Sequence, residues 1–360
     1  MRLLVLLLTA TAVAQSPHLQ TSHTAESLRG ISAVSRNIAW ASGTHGTYLR
    51  TTDAGRTWIP AQVPDAAKLD FRAVIAFSAE EAFLMSAGPG DLSRIYHTTD
   101  AGHHWKLQFT NTNPKGFFDS MVFWDPKHGV VLGDPLPDDN GKLKFELLMT
   151  EDGKTWRPIP PSQLPDAIEG EGAFAASNTC IAILRDTWKS GPSGPRKAPE
   201  KDGALAPADP NLWFATGGKV ARVFHSADRG QTWTVSDAPI VHGPDSAGIF
   251  SIAFRDPLHG IIAGGDYKHP NNDVPNLATT DDGGRTWRLS PNKDLQGYIS
   301  AIAFDYKSPA RLYAAGPDYI GISFGEGAKR FPNEKFNALS PIPYGGAFVV
   351  GPKGAVARIP

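Results

Sequence analysis

An eight-residue stretch that returns five times along the chain constrains the fold more than any other feature. It ends in tryptophan each time, reading TTDAGRTW in the first copy and TDDGGRTW in the last. The copies are Thr51–Trp58, Thr98–Trp105, Met149–Trp156, Ser226–Trp233 and Thr280–Trp287. Consecutive copies lie roughly fifty residues apart, with one longer step between the third and the fourth, and such a period predicts an array of similar packed units.

Each unit consists of short runs of alternating apolar residues separated by Gly, Pro and Asp, a pattern typical of β-strands. The strands predicted for the first unit are Leu28–Ser35, Ile38–Ser42, Thr47–Thr51 and Thr57–Ala61. Two degenerate units follow the fifth, at Gly297–Phe331 and Phe336–Pro360. Four strands a unit, repeated around a ring, predict an all-β, seven-bladed β-propeller of four-stranded blades.

The last unit ends one strand short. An extended polar stretch, Pro17–Ala25, precedes the first inner strand and has no blade of its own. An unpaired strand edge is a liability that propellers avoid by closing the ring. We therefore predict that this stretch supplies the fourth strand of the seventh blade.

The ends and the composition set further bounds. Residues 1–14 combine Arg2, the apolar run Leu3–Leu8 and an Ala-Val-Ala cleavage site, which predicts a signal peptide and a mature, exported propeller over residues 15–360. Cleavage is expected between Ala14 and Gln15, and the mature protein is expected in the periplasm or outside the cell as a monomer. No stretch reaches the roughly 20 apolar residues that a membrane span requires. Residues 185–210, rich in Pro, Gly and Lys, read as a flexible insertion in blade four.

Charge and cysteine content exclude several function classes. Lys and Arg number 35 against 36 Asp and Glu, a net charge of −1 that gives no general attraction for nucleic acid. Cys180 is the single cysteine, in an apolar setting that predicts a buried, inert thiol. Neither a CxxCH motif nor a GxGxxG motif after a strand is present, so we expect no cofactor and no metal.

The repeated stretch itself reads as a structural turn. Its aspartate can accept backbone N–H bonds, its glycine allows a positive φ, and its tryptophan can pack between strands. In the third copy Glu151 stands where the pattern expects aspartate. The residues assigned this structural role are Asp53, Trp58, Asp100, Trp105, Trp156, Asp228, Trp233, Asp282 and Trp287.

A second set of residues recurs where the inner strands begin, which in a propeller is the mouth of the central channel. Alignment of the units places Arg29, Arg72, Asp119 and Glu171 there. The loops after the second strands open on the same face and add His45, Arg94, Asp134, Asp266, Tyr267 and Asp318. A concave mouth lined by converging charged side chains is a candidate binding pocket. The alternative is that they pair with neighbouring blades and only hold the loops in place.

Further motifs extend the pattern beyond the turns, among them LRGISAV, SRIYHTTDAG, GFFDSMVFWD, EGEGAFAASNTC, GIFSIAFRD and AGGDY. With these the chain resembles the Asp-box (BNR-repeat) propellers, and within them a bacterial exported subgroup of the photosystem II stability/assembly factor-like family. The resemblance covers nearly all of the mature chain. It implies a propeller that binds a protein or peptide partner, so a non-catalytic scaffold is the leading hypothesis.

Two further hypotheses, one of them enzymatic, stand beside it. An exported glycoside hydrolase could use Asp119 and Glu171 as acid and base if their carboxylates face one cavity at glycosidase spacing, and a sugar-binding lectin could use the same mouth. The arginines and tyrosine that a sialidase needs do not occur in the expected order. The oxidoreductase label that is common in the family has no support from these residues.

Overall fold

The computed structural model describes residues 16–184, 209–291, 294–324, 327–332 and 335–360. Their strands form seven antiparallel sheets, and the predicted seven-bladed propeller is confirmed. The predicted signal peptide and most of the predicted insertion lie outside these residues. Within them, no helix is long and apolar enough to cross a membrane.

The blades are numbered here in chain order, and the first strand of each lines the central channel. Blade 1 contains Leu28–Ala33, Ala39–Gly43, Thr47–Thr51 and Ile59–Gln62; blade 2, Asp70–Ala76, Ala82–Ala87, Arg94–Thr98 and Lys106–Thr110; blade 3, Phe118–Asp125, His128–Pro137, Leu143–Thr150 and Arg157–Pro158. Blade 4 contains Ile181–Ile183, Leu212–Ala215, Arg222–Ser226 and Thr234–Asp237; blade 5, Ala247–Phe254, Gly260–Asp266, Leu277–Thr280 and Arg288–Leu289. Blade 6 contains Ala301–Phe304, Arg311–Ala315, Tyr319–Phe324 and Gly327–Pro332; blade 7, Ala338–Pro341, Ala347–Val350, Val356–Ile359 and His18–Gln20. Short 3₁₀ turns lie at Gly90–Leu92, Pro161–Gln163 and Pro352–Gly354.

The ring closes with a strand from the opposite end of the chain. His18–Gln20 pairs antiparallel with the end of blade 7, in a register that places His18 opposite Arg358 and Gln20 opposite Val356. The predicted closure by the stretch before the first inner strand is therefore confirmed. It ties the two ends of the described chain into one sheet, so separating any blade from its neighbours means breaking the ring.

The hydrophobic core is divided among the contacts between blades. Each of seven clusters of buried side chains in the described residues draws on two neighbouring blades, including one that joins blade 7 to blade 1. In that last cluster Trp58 of blade 1 packs edge-on against Phe348 of blade 7, with ring centroids 5.8 Å apart. A blade buries its apolar faces only against its neighbours, as the repeat pattern predicts.

The repeated stretch forms the turn between the third and fourth strands of a blade. In blade 1 the Thr51 hydroxyl donates to Asp53 (2.9 Å) and accepts the Gly55 N–H (2.9 Å), and the Asp53 carboxylate accepts the Thr57 N–H (2.9 Å). Gly55 has φ +80°, a conformation that residues with a Cβ rarely adopt. The motif's hydrogen bonds are thus used within the turn, in agreement with its predicted structural role.

One reading of the repeat was wrong. The aspartate of the third turn is not replaced by Glu151, because Asp152 takes its place: it accepts the Thr150 hydroxyl (3.2 Å) and the N–H of Lys154 (2.8 Å). An alignment anchored on the tryptophan misses this because the spacing differs. The Gly153 N–H donates to the hydroxyl of Thr150, three residues earlier, whereas the Gly55 N–H donates to that of Thr51, four residues earlier. The third turn is one residue shorter at this point and keeps its carboxylate.

Candidate functional site

A chain segment that precedes blade 4 crosses the central channel. Ala175 accepts a hydrogen bond from Arg72 of blade 2 (3.0 Å), and the Asn178 side chain bonds both the N–H (2.7 Å) and the C=O (3.0 Å) of Met121 in blade 3. The Ser177 hydroxyl donates to the Ser300 C=O, next to blade 6 (2.6 Å). Because these contacts reach blades on different sides of the ring, residues 173–179 lie in its middle. We call them the plug.

The plug separates two cavities. One, of about 170 Å³, is lined by the middle and end of the inner strands, with largely apolar side chains such as Ile31, Val122 and Ile252. The other, of about 380 Å³, opens where the inner strands begin, and we call it the mouth pocket. Its lining consists of Arg29, Arg72, Phe117, Asp119, Asp134, Ala173, Phe174, Ala175, Ala176, Phe250, Tyr267, Tyr298, Ser300, Pro317, Phe336 and Asn337.

Blades 1 and 2 give the mouth pocket a basic wall. Asp70 accepts from Nε of Arg72 (2.8 Å), while Nε of Arg29 lies 4.0 Å from the same carboxylate oxygen. Two guanidinium groups therefore share one carboxylate. Burial, with repulsion from Arg72, lowers the pKa of Arg29. Within the described chain the buried Nε of Arg29 has no hydrogen-bond partner, so this wall retains capacity to donate to a ligand.

Blade 3 gives the pocket an acidic wall. Asp119 is only 1% exposed, and its Oδ2 has no hydrogen-bond partner among the described residues. The half-buried Asp134 accepts the Ala173 N–H at 3.1 Å. Burial raises the pKa of both carboxyl groups, and the charge of Asp134 raises that of Asp119 further. The wall therefore tends to hold a proton.

Aromatic rings cover the side of the pocket at blades 5 and 6. Phe250 is their centre: Phe174 of the plug stacks on it with centroids 3.8 Å apart and planes 13° apart. Tyr298 meets Phe250 edge-on at 4.7 Å, and Tyr267, 48% exposed, meets it edge-on at 6.1 Å. Burial raises the pKa of Tyr298, so its phenol stays protonated. The pocket combines both charge types with an apolar wall, a composition that suits ligand binding.

The structure brings together many but not all of the residues predicted for the mouth. Arg29, Arg72, Asp119, Asp134 and Tyr267 line one pocket. The position of Arg29, Arg72 and Asp119 follows from the repeat, since equivalent residues of successive inner strands lie at the same end of the channel. Asp134 lies in the second half of the second strand of blade 3, and Tyr267 directly follows the second strand of blade 5.

The placement of Glu171 at the mouth was wrong. Its side chain is fully buried, and it receives hydrogen bonds from Nε of Arg222 (2.9 Å) and the Thr216 hydroxyl (2.7 Å), besides an ion pair with Nη2 of Arg222. Glu171–Gly172 is a short strand that pairs with Gly217–Gly218, and the inner strand of blade 4 begins ten residues later, at Ile181. The predicted pairing of Asp119 with Glu171 as acid and base does not occur in one cavity.

Four further candidates also lie outside the pocket lining. Arg94 donates to the Asp91 C=O (2.5 Å), and Asp266 accepts from the Lys268 N–H (2.9 Å) and pairs with His269. His45 pairs with Glu26 at 2.7 Å. Asp318 follows the lining residue Pro317 without lining the pocket itself. For Arg94, Asp266 and His45 the structural alternative, in which charges hold loops, is the observed one.

Sequence reasoning missed the plug and, apart from Tyr267, the aromatic wall. The plug residues AFAASN are small apart from Phe174, and EGEGAFAASNTC carries no strand alternation, which was the signal available. Cys180, which follows the plug, is fully buried as predicted, and burial together with the charge of Asp119 raises the pKa of its thiol to about 12. Among the described residues no group of three His, Cys, Asp or Glu side chains could hold a metal ion.

Comparisons with known proteins show the fold alone. No protein-family model matches the chain, and no curated protein matches it. Its structure is similar to that of YCF48 bound to a D1 peptide, with a TM-score of 0.61 and 16% identity over 96% of this chain and 97% of that one. It is also similar to YCF48 from Cyanidioschyzon merolae (TM-score 0.58, 17% identity, 95% and 98% covered). The WD40 β-propeller domain of Doa1 gives a TM-score of 0.57 at 12% identity, with 96% and 97% covered.

Proposed function

We propose that the protein is an exported, non-catalytic propeller scaffold of the photosystem II assembly factor-like, Asp-box type, and that it binds a peptide segment of a partner protein in the mouth pocket. The observation that carries this proposal is the pocket itself. Beside a wall of aromatic rings it places two buried polar atoms that have no hydrogen-bond partner among the described residues, Nε of Arg29 and Oδ2 of Asp119. Such atoms are costly unless a ligand or water satisfies them.

The structural likeness supports a peptide as the ligand. One protein of the same fold, covered over nearly its whole length, is YCF48 bound to a D1 peptide. A cavity of about 380 Å³ admits a few side chains of an extended segment. The non-catalytic part of the proposal is supported by Glu171, whose carboxylate is used in a buried ion pair rather than as half of an acid and base pair. A lectin with the same pocket stays a hypothesis that a glycan array tests.

The test is capture of partners by the purified protein. Wild-type protein is immobilised, exposed to envelope extract, and the retained proteins are identified by mass spectrometry and then mapped with synthetic peptides. Arg72→Glu reverses a charge in the pocket, whereas Arg56→Glu makes the same change at an exposed turn. We expect loss of specific partners with the first variant and retention with the second.

Retention of the same partners by Arg72→Glu would contradict the proposal. Tyr267→Ala, a change at the exposed rim of the pocket, serves as a second variant if the charge reversal prevents folding. Export is tested separately, by N-terminal sequencing of the protein from the periplasmic fraction, where a start at Gln15 is expected.

A further inference from the structure

Asp119 is the polar group in the mouth pocket whose position most needs an explanation. Native proteins hydrogen-bond nearly all of their buried polar atoms, because an unpartnered one has lost its hydration without compensation and is energetically costly. Asp119 is 1% exposed, lines the pocket, and leaves Oδ2 without a partner in the described chain. A ligand that donates a hydrogen bond or carries a positive charge would remove this cost.

The charges around Asp119 favour a cation. Asp134 and Glu146 add negative charge beside it, and Cys180 faces it as a neutral thiol because its pKa is near 12. The charge of Arg72 favours the ionised form of Asp119, but Arg72 is already engaged by Asp70 and by Ala175 of the plug. Glu146 accepts from the Asn111 amide (2.8 Å) and, like Asp134, has its pKa raised by burial. Among the described residues, this corner therefore carries more acidic groups than it has free cations to neutralise them.

We propose that Asp119 and Asp134 form a subsite for a basic side chain, lysine or arginine, of the bound peptide. The inference rests on the proposed function and adds the chemical class of one ligand residue. An ammonium or guanidinium group has donors to satisfy Oδ2 of Asp119 and a charge that stabilises the ionised carboxylate. Phe117 and Phe174 also line the pocket and offer apolar surface to the alkyl stem of such a side chain.

The basic wall sets a second requirement on the same ligand. Arg29 and Arg72 repel a lone cation that enters the pocket, and Nε of Arg29, which has no partner among the described residues, is a donor. The ligand must therefore carry acceptor groups, main-chain carbonyls or an acidic side chain, next to its basic residue. A peptide in which a basic and an acidic residue are adjacent fulfils both conditions.

The test compares two capped tripeptides that differ only in the ammonium group. Acetyl-Ala-Lys-Asp-amide and acetyl-Ala-norleucine-Asp-amide are titrated into the wild-type protein at pH 7 in a calorimeter, in buffers of different ionisation enthalpy. We expect the lysine peptide to bind at least about tenfold more tightly, as for a charge-assisted hydrogen bond. We also expect it to release protons, because the cation favours the ionised form of Asp119.

Two variants assign the effect to the subsite. Asp119→Asn should abolish both the lysine preference and the proton release, and Asp134→Asn replaces it if that variant does not fold. Glu151→Gln, a matched loss of one carboxylate at an exposed turn of the same blade, should retain both. Equal affinity for the two peptides, no binding of either, or an unchanged preference in Asp119→Asn would overturn the subsite. None of these results bears on partner capture through Arg72, so failure here is distinguishable from failure of the proposed function.

Discussion

Trp58 donates its indole N–H to Oε1 of Gln20 at 2.9 Å, and the amide of Gln20 in turn donates to the Ala54 C=O at 3.1 Å. The outer strand of blade 7 is thereby fastened to the turn of blade 1. Gln108 bonds Trp156 (2.9 Å) and Gly153 (2.9 Å) in the same way, between blades 2 and 3. The contact that closes the ring is thus a copy of one that joins ordinary neighbours.

Replacement of Gln20 tests this contact. We expect Gln20→Ala to lower the free energy of unfolding by about 1 kcal/mol for each of the two lost hydrogen bonds. Gln163→Ala, which removes an exposed glutamine from a 3₁₀ turn, is the matched control and should leave stability nearly unchanged. Thermal and denaturant unfolding measure both, and equal stability of the two variants would contradict a role for Gln20 in ring closure.

Breaking the buried ion pair of Glu171 and Arg222 should lower the free energy of unfolding more than the loss of Gln20 does. Arg222→Ala leaves a fully buried carboxylate without its cation, which costs about 3–5 kcal/mol in comparable cases. Arg288→Ala breaks an exposed pair with Asp281 and should cost about 1 kcal/mol or less. Denaturant unfolding at pH 7 compares the two, and similar losses would show that Glu171 is more hydrated than the structure indicates.

The raised pKa of Asp119 makes a prediction about pH. Its folded pKa lies above its unfolded value, so the folded state binds the proton more tightly and this group's contribution to stability falls as pH rises from about 4 towards the folded pKa. Asp119→Asn removes that dependence. The stability of the variant relative to wild type should therefore increase between pH 4 and pH 7. A constant difference over this range, measured by thermal unfolding, would contradict the raised pKa.

Two neighbouring acidic residues in the third turn, Glu151 and Asp152, have different structural roles. Both residues are exposed, but Asp152 accepts the N–H groups of Thr155 and Lys154, which lowers its pKa to about 2. We expect Asp152→Asn to lower the melting temperature and Glu151→Gln to leave it nearly unchanged. The lowered pKa means that the contribution of Asp152 is present above about pH 4 and is lost as pH falls towards 2. Melting curves of both variants at pH 7 and pH 3 test this. A larger effect at Glu151 would show that Glu151, and not Asp152, takes the aspartate position of the turn.

The repeat by itself determined the architecture. A period near fifty residues, with one tight turn in each unit, predicts four strands in each blade. The final unit is one strand short and needs a strand from elsewhere in the chain, which His18–Gln20 supplies. The same period placed Arg29, Arg72 and Asp119 at one mouth, because equivalent positions near the starts of repeated inner strands lie at the same end of the channel. These are short-range properties, and a single sequence contains them.

Only the tertiary structure decided how the mouth is built. Glu171 has the residue type and approximate position of a site residue, but Arg222, fifty-one residues away in the chain, takes up its carboxylate. The plug is held by hydrogen bonds to Arg72 of blade 2, Met121 of blade 3 and Ser300 just before blade 6. Contacts of that kind depend on which blades the closed ring brings face to face, and no local pattern of residues records them.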